Sequence, residues 1–240
     1  MLLPNYILAV FEGEKTEKQI FDNLTQYYLN EKESTIVYAF HCSDIYALYH
    51  KMKKDEDLEL FGVLKEDLSA TTPKLNEIKP SEVQEIHLFF DYDSHASAAE
   101  DEKLFYMLTY FDNETEKGKL YISYPMVEAI KHLKASIDFQ NTLAKSERSY
   151  KGKVSIECDV CYIDLTSLKE SHWKTIISEH CKKLGYILYD KFEIPDMSVT
   201  QLVVFEKQKE KFIDVMDKVA VLSAFPVFLA DYYGFERFKS

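Results

Sequence analysis

Two acidic residues near the middle of the chain have the types and the spacing that could hold a metal ion. Asp91 and Asp93 lie two positions apart, directly after an apolar run over 86–90. Side chains at i and i+2 of an extended strand point the same way, so the two carboxylates can converge on one cation. Such close carboxylates repel each other unless a cation lies between them, and Mg²⁺ prefers oxygen ligands of this kind. The open alternative is a strand that ends in an Asx turn with both acids in solvent.

A third acid, Glu12, follows the first apolar run, which spans 6–11. Gly13 favours a tight turn after it, and Thr16 with Gln19 fits a capping box that opens a helix to about position 29. Continuous apolar runs are typical of strands buried on both faces of a parallel sheet. Open α/β folds bind their ligands at the carboxyl ends of such strands. Glu12 therefore occupies the same place on its strand as Asp91 does on its own.

The elements that position these acids alternate between strand and helix. Apolar runs predict further strands over 35–40 and 120–123. Helical spacing predicts helices over 43–54, 58–68, 96–111 and 127–134, with a polar loop over 112–118. Glu128 then lies in a first helical turn, beside the carboxyl end of a strand. This alternation implies a mainly parallel sheet with right-handed crossovers, so the predicted fold class is a doubly wound, Rossmann-like α/β core flanked by helices.

The pattern changes beyond about position 136, and the remainder predicts a mostly helical C-terminal extension. A helix or loop over 138–153 precedes a strand over 154–163, a helix over 165–184 that Gly185 ends, and a long helix over 198–219. The tail over 220–229 is strongly apolar, so it must pack on the body or on a partner. These changes divide the chain into a core over 1–135 and an α-rich extension over 136–240.

Composition limits the classes of protein that remain. The chain has 240 residues, of which 46% are hydrophobic, enough for one large domain or a core with an appendage. Four cysteines favour a reducing cytoplasm over a disulfide scaffold. The start lacks the features of a secretory signal, and the longest apolar run, over 219–230, is too short to span a bilayer, so no membrane partner is expected. The formal net charge of −12 argues against a broad phosphate-binding surface, so nucleic acid would need a metal, a local basic patch or a partner.

A family resemblance is carried by three motifs in order. The first is Glu12-Gly13-Glu14-Lys15-Thr16-Glu17, the second is Asp91-Tyr92-Asp93, and the third is Ser123-Tyr124-Pro125-Met126-Val127-Glu128. They are similar to the signatures of Toprim domains, in the form found in the OLD- and RloB-type nucleases of bacterial anti-phage defence. The third motif departs from the Ser-Asn-Pro…Glu pattern because Tyr124 stands in place of Asn. The resemblance covers about residues 5–135 and implies a Toprim fold for the core.

The resemblance implies a nuclease that hydrolyses the phosphodiester bonds of DNA or RNA with Mg²⁺ or Mn²⁺ as its cofactor. Glu12 would be the general acid/base or a metal-held base. Asp91 and Asp93 would be metal ligands, and Glu17 and Glu128 would complete the acidic shell. Such nucleases act as effectors of anti-phage systems, often with an ABC-type ATPase as partner, and homo-oligomer formation is left open. The alternative is a catalytically silent Toprim-fold interaction subunit of an ATPase-containing complex, which the acidic net charge favours.

Basic side chains are candidates for contacts to nucleic-acid phosphates. Lys131 and Lys134 follow Glu128 closely, and a second set lies further along the chain: Lys145, Arg148, Lys151 and Lys153. A charge run of this kind is also compatible with a solvated face that has no function.

Several other patterns are discounted. Cys158 and Cys161 have the spacing of zinc ligands, but the strand predicted over 154–163 would point their sulfurs to opposite faces. His87 lies inside a strand and is expected to be a packed core histidine. His95 follows the Asp pair, where a turn residue is favoured over a phosphate or metal ligand. The Asp-x-Asp spacing is similar to that of haloacid-dehalogenase phosphatases, and receiver modules also pair acids, but both carry them on their first strand.

Overall fold

A five-stranded sheet forms the centre of the computed structural model, which describes residues 5–29, 35–40, 45–54, 59–92, 98–147 and 149–239. Its strands are β1 (Tyr6–Phe11), β2 (Thr35–Phe40), β3 (Val83–Asp91), β4 (Asp112–Asn113) and β5 (Gly118–Ser123). Their order is β2-β1-β3-β5-β4. The neighbours β2, β1, β3 and β5 run parallel, and only β4 pairs antiparallel, with β5. The predicted α/β class with a mainly parallel sheet is confirmed.

Helices cover the sheet and account for most of the second half of the chain. The described helices are α1 (Thr16–Leu24), α2 (Ile45–Lys54), α3 (Leu60–Leu68), α4 (Ala98–Tyr110), α5 (Ser149–Glu157), α6 (Glu170–Tyr189), α7 (Gln201–Gln208), α8 (Asp214–Met216) and α9 (Ala224–Tyr233). A π-helical turn over Lys209–Ile213 joins α7 to α8. Two short strands, β6 (Leu143–Ala144) and β7 (Val219–Ala220), pair antiparallel outside the main sheet. No described helix is long and apolar enough to cross a membrane.

Side chains of β3 pack against helices on both faces of the sheet. On one face the ring of Phe89 stacks on Phe225 of α9, with centroids 4.9 Å apart. Tyr92 follows β3 at an odd spacing from Phe89, so its side chain points to the opposite face of the sheet. There it contacts α4 and α7. Its hydroxyl donates to a carboxylate oxygen of Asp101 in α4 at 3.2 Å, and its ring lies 6.3 Å from that of Phe205 in α7. The sheet is therefore buried on both faces, as its continuous apolar strands predict.

The apolar tail is predicted to pack either on the body or on a partner, and the structure shows it packed on the body. Phe228 of α9 is only 1% exposed and its ring meets Phe21, Phe89 and Tyr121. One continuous hydrophobic core contains residues from both 1–135 and 136–240. The Phe228 side chain is therefore enclosed by the body and presents no surface to a partner.

The strand predicted over 154–163 is wrong. The chain forms α5 up to Glu157 and then a 3₁₀ turn over Val160–Tyr162, with the carboxylate of Asp159 accepting from the N–H of Cys161 at 3.2 Å. The buried residues Tyr150, Val154 and Cys158 are spaced by four, which is a helical period. Ile156 lies between them and is 81% exposed, so the apolar stretch does not mark a two-sided strand.

Gly185 does not end its helix, since α6 continues to Tyr189 and the left-handed Asp190 caps it. A Cβ at position 185 would lie 1.9 Å from the backbone oxygen of Glu193. This glycine therefore serves the close approach of a neighbouring loop, which local sequence does not reveal.

Other helix boundaries also differ from the predicted ones. The first helix ends at Leu24 instead of 29, and its N-cap is Lys15 without a side-chain hydrogen bond, so the predicted capping box is wrong. The helix predicted over 127–134 is only a short 3₁₀ helix, Val127–Lys131, which begins within the third motif. The helix predicted over 198–219 ends at Met216, because Asp217 adopts a positive φ and the next residues enter β7. The polar loop predicted over 112–118 contains β4.

Candidate functional site

The order of strands places a crevice at the carboxyl ends of β1 and β3. The chain passes from β1 to β2 on one side and then returns to β3 on the other side of β1. In doubly wound folds ligands bind where the strand order reverses in this way. Glu12 follows β1 and Asp91 ends β3, so both lie at this point. The N–H of Glu12 donates to the carbonyl oxygen of Phe89 at 3.1 Å, and the N–H of Asp91 donates to Glu12 Oε2 at 2.9 Å.

Glu17 reaches the same crevice from the first turn of α1. Its side chain is buried, and its Oε1 accepts a hydrogen bond from the N–H of Gly13 at 3.0 Å. A Cβ at position 13 would lie 2.7 Å from that oxygen. Gly13 is therefore needed for the close approach of the Glu17 carboxylate. The turn itself uses an ordinary backbone conformation, since position 13 is not among the glycines with positive φ.

The third motif supplies another buried carboxylate from the end of β5. The Tyr124–Pro125 peptide is cis, and Glu128 lies in the 3₁₀ helix that follows, where it is 3% exposed. Tyr124, at which the third motif departs from the Toprim signature that it resembles, packs its ring 5.5 Å from that of Tyr92. Its N–H and carbonyl both bond to Leu222. Tyr124 thus joins the third motif to the C-terminal half of the chain.

The carboxylates of the three motifs influence one another electrostatically. Burial raises the pKa of Asp91 well above its ordinary value, and the charges of Glu12, Glu17 and Glu128 raise it further, while a hydrogen bond from Val127 opposes them. Burial also raises the pKa of Glu17, with the charge of Glu128 adding to it against the hydrogen bond from Gly13. We call Glu12, Glu17, Asp91 and Glu128 the acid cluster. Four of the five predicted metal ligands are thus brought together, and the fifth, Asp93, lies outside the described residues.

The acid cluster is not arranged as a finished coordination sphere. Within the described ranges, no group of three His, Cys, Asp or Glu side chains stands ready to hold one metal ion. The donor set nevertheless suits a hard cation, because carboxylate oxygens are the ligands that Mg²⁺ and Ca²⁺ prefer. The mutual repulsion that raises the pKa of Asp91 is also what a bound cation would remove.

Lys151 is the lysine that the structure places against the acid cluster. Its Nζ lies 2.8 Å from Glu128 Oε1. The hydrogen bond and charge of Glu128 raise the pKa of Lys151, and Glu17 and Asp91 raise it further. The sequence places Lys151 in the second set of candidate phosphate contacts, with a solvated face as the alternative, and does not reveal its contact with Glu128.

The other predicted phosphate contacts lie elsewhere or outside the description. Lys145 pairs with Asp217 at 3.1 Å and Lys153 lies 3.8 Å from Glu157. Lys134 is exposed and lines a separate cavity of about 480 Å³. Lys131 is partly buried in the 3₁₀ helix of the third motif. Arg148 is outside the described residues.

Two residues that sequence reasoning missed anchor the stretch 139–146, which leads into α5 and Lys151. The hydroxyl of Ser146 donates to the carbonyl of Tyr92, next to Asp91, at 2.7 Å. Lys183 of α6 is fully buried and donates to the carbonyl oxygens of Phe139, Gln140 and Thr142 at 3.1, 2.6 and 3.0 Å. Burial lowers the pKa of Lys183 to about 7. A lysine in an amphipathic helix is typical of a solvated face, so no sequence signal marks this one.

His87, Cys158 and Cys161, which the sequence analysis set aside as functional candidates, pack against other parts of the protein. His87 is 2% exposed and its ring lies 4.9 Å from Phe228, which confirms it as a core histidine. The strand argument against zinc at Cys158 and Cys161 fails because that strand does not form. Burial raises the pKa of the Cys161 thiol, which opposes the thiolate form that a zinc ligand needs. His95 lies outside the described residues.

Comparison with known proteins gives no family for this chain. No protein-family model matches it, and neither the curated proteins nor the solved structures include a significant match.

Proposed function

We propose that the chain is a Toprim-fold, metal-dependent nuclease that hydrolyses phosphodiester bonds in DNA or RNA. The observation that carries the proposal is the convergence of three separate motifs on one crevice. Glu12, Asp91 and Glu128 follow three different strands of a parallel sheet, and Glu17 reaches them from the first turn of α1. Glu17 and Glu128 are buried, and Glu12 and Asp91 are partly buried beside them. Carboxylates placed where they repel one another oppose folding, so a purely structural role does not account for their arrangement.

The acid cluster fits Mg²⁺ or Mn²⁺ as its cofactor. Asp91 and Asp93 would hold the metal, with Glu17 and Glu128 completing the shell. When bound, the metal would stabilise negative charge on the attacking and leaving oxygens of the phosphodiester. Asp93, or a small rotation of the carboxylates, must complete the ligand set, since the described side chains do not form one as they stand.

The protein's own groups would orient the acids and handle the proton. The N–H of Asp91 fixes one oxygen of Glu12, which presents this carboxylate as the general base that accepts a proton from the attacking water. The N–H of Gly13 fixes Glu17 in the same way. The Asp91 donor lies on the sheet itself and the Gly13 donor lies in the turn after β1. Groups positioned by strands are held more precisely than groups on loops.

The biological setting follows from the resemblance alone. We propose an effector of bacterial anti-phage defence in the cytoplasm that acts on nucleic acid, with an ABC-type ATPase as partner. The alternative is a Toprim-fold interaction subunit that cuts nothing, and the net charge of −12 favours it because nucleic acid is repelled by an acidic surface.

The test is Mn²⁺-dependent cleavage of single- and double-stranded DNA and RNA by the wild type, Glu12→Gln and Glu14→Gln. Glu14 is exposed and two positions from Glu12, so it is a matched control. We expect Glu12→Gln to lose at least about 100-fold in rate, the contribution typical of a general base, while Glu14→Gln keeps the wild-type rate. Equal cleavage by Glu12→Gln, or a wild type that neither cleaves nor binds Mn²⁺, would contradict the proposal.

A further inference from the structure

The ion pair between Lys151 and Glu128 joins two side chains of very different exposure. The Glu128 side chain is 4% exposed, and that of Lys151 is 64% exposed. A buried carboxylate needs a compensating partner, and here that partner is a long side chain whose remaining surface is in solvent. We propose that Lys151 is an exchangeable counter-ion of the acid cluster: it neutralises Glu128 in the metal-free protein, and a divalent cation displaces it. This inference rests on the proposed metal site.

The position of Lys151 suits it to compensate the whole acid cluster. The carboxylates that raise its pKa include Glu17 and Asp91 as well as its direct partner. The positive charge therefore sits within the field of at least three acids that belong to three different motifs. A divalent cation bound among them would repel the ammonium group and compete with it for the Glu128 carboxylate.

The backbone that carries Lys151 is fixed, so the exchange requires only a side-chain movement. Tyr150, the preceding residue, is buried and its hydroxyl lies 3.0 Å from Nδ1 of His132. Upstream, the hydroxyl of Ser146 donates a hydrogen bond to the carbonyl oxygen of Tyr92, the residue that follows β3. The lysine stem is flexible and its ammonium group is strongly hydrated, so the displaced side chain can move into solvent at small cost.

Neighbouring Lys153 provides a matched control. It lies two residues further along α5, it is similarly exposed, and it pairs with Glu157 instead of a member of the acid cluster. Removing either lysine changes the net charge of the protein by the same amount. A difference between the two variants therefore reports the contact with Glu128 and not the general attraction of cations to a more acidic protein.

The experiment is calorimetric titration of MnCl₂ into the wild type, Lys151→Gln and Lys153→Gln at neutral pH and low ionic strength. We expect Lys151→Gln to bind Mn²⁺ about three- to fivefold more tightly than the wild type, as the loss of one exposed ion-pair competitor allows. We expect Lys153→Gln to bind as the wild type does.

The outcomes separate this inference from the function on which it rests. Binding to the wild type with unchanged or weaker affinity in Lys151→Gln would overturn the competition and leave the metal site in place. An equal gain in both variants would also overturn it, because the effect would then be one of net charge. Absence of binding to all three proteins would overturn both the inference and the proposed metal-dependent function.

Discussion

Phe89 and Asp91 lie two residues apart on the same strand and the same side of the sheet, and their surroundings are opposite in character. Phe89 belongs to an aromatic layer formed by Phe11, Phe21, Phe89, Phe225 and Phe228, whose rings stack or meet edge to face. Asp91 belongs to the acid cluster, where each carboxylate raises the cost of charging the next. Two residues along the strand thus separate the favourable packing of aromatic rings from the repulsion between carboxylates.

The difference between these regions indicates where the sheet gains stability and where it loses it. Buried aromatic rings contribute large apolar areas and favourable ring geometry. Buried carboxylates of like charge oppose folding unless a cation or a proton compensates them. The aromatic layer adjoins the acids along the chain, since Phe11 precedes Glu12 and Phe89 lies two residues before Asp91. We infer that the acid cluster is held under repulsion for the sake of a ligand.

Removing a ring from the aromatic layer is expected to have the largest effect on stability. Phe228→Ala should lower the free energy of unfolding by about 3–5 kcal/mol, because it leaves a cavity among Phe21, Phe89 and Tyr121. Phe105→Ala is the control: that ring is 44% exposed, so its loss should cost less than about 1 kcal/mol. Urea unfolding of both variants measures the difference. Similar small losses in both would mean that the tail does not belong to the core.

The acid cluster should give the metal-free protein an unusual dependence on pH. A carboxyl group whose pKa is higher in the folded state binds more protons when folded, so stability falls as pH rises from its unfolded pKa through its folded pKa. The raised pKa values of Asp91 and Glu17 place this loss above about pH 4. Asp91→Asn should remove most of this loss and should therefore be more stable than the wild type at pH 7.

The measurement is the difference in unfolding free energy between Asp91→Asn and the wild type at several pH values, since other groups cancel in that difference. We expect the difference to grow in favour of Asn as pH rises from 4 to 7. A difference that is constant, or that favours Asp at pH 7, would show that the Asp91 carboxylate is not under repulsion.

Gly13→Ala should have the smallest effect on stability and a clear effect on the site. The new methyl group displaces the Glu17 carboxylate from the N–H of Gly13, and a flexible side chain can yield at a cost within about 1 kcal/mol. Mn²⁺ affinity should fall on the order of tenfold, as for other residues that orient a ligand. Gly62→Ala meets nothing within 4 Å, so this control should gain about 0.5–1 kcal/mol and bind Mn²⁺ normally. Calorimetry and urea unfolding of both variants test the pair.

The sequence predicts the sheet better than it predicts the helices of the second half. The strands β1 and β2 have the predicted bounds, because apolar runs between polar turns leave few alternatives. The apolar residues of the segment 154–163 suggest a strand because the sequence does not show which of them are buried. In the structure the buried ones recur at a helical spacing and Ile156 is exposed. Gly185 depends on the Glu193 carbonyl, in the loop that folds back after the helix. Lys183 depends on the Phe139–Asn141 turn, whose first carbonyl lies 44 residues earlier in the chain. Local patterns carry no information about such contacts.

The candidate site also contains residues that the sequence predicts and residues whose positions depend on tertiary packing. Glu12 and Asp91 were placed at one edge because the carboxyl ends of parallel strands must meet there. The alternation of elements also places Glu128 beside the carboxyl end of a strand, but only the resemblance to Toprim motifs joins Glu128 and Glu17 to the other two acids. The contact of Lys151 with Glu128 depends on where α5 packs, which a single sequence does not specify.

Thermal unfolding of the wild type and Asp91→Asn, each with and without Mn²⁺ at pH 7, tests the central claim most directly. The claim is that repulsion within the acid cluster destabilises the metal-free protein and that a bound divalent cation relieves this repulsion. Without metal, the variant should melt several degrees higher, on the order of 2–4 °C for each kcal/mol gained. Mn²⁺ should raise the melting temperature of the wild type and leave that of the variant unchanged. A variant that melts lower than the wild type without metal, or that gains as much from Mn²⁺, would contradict the account.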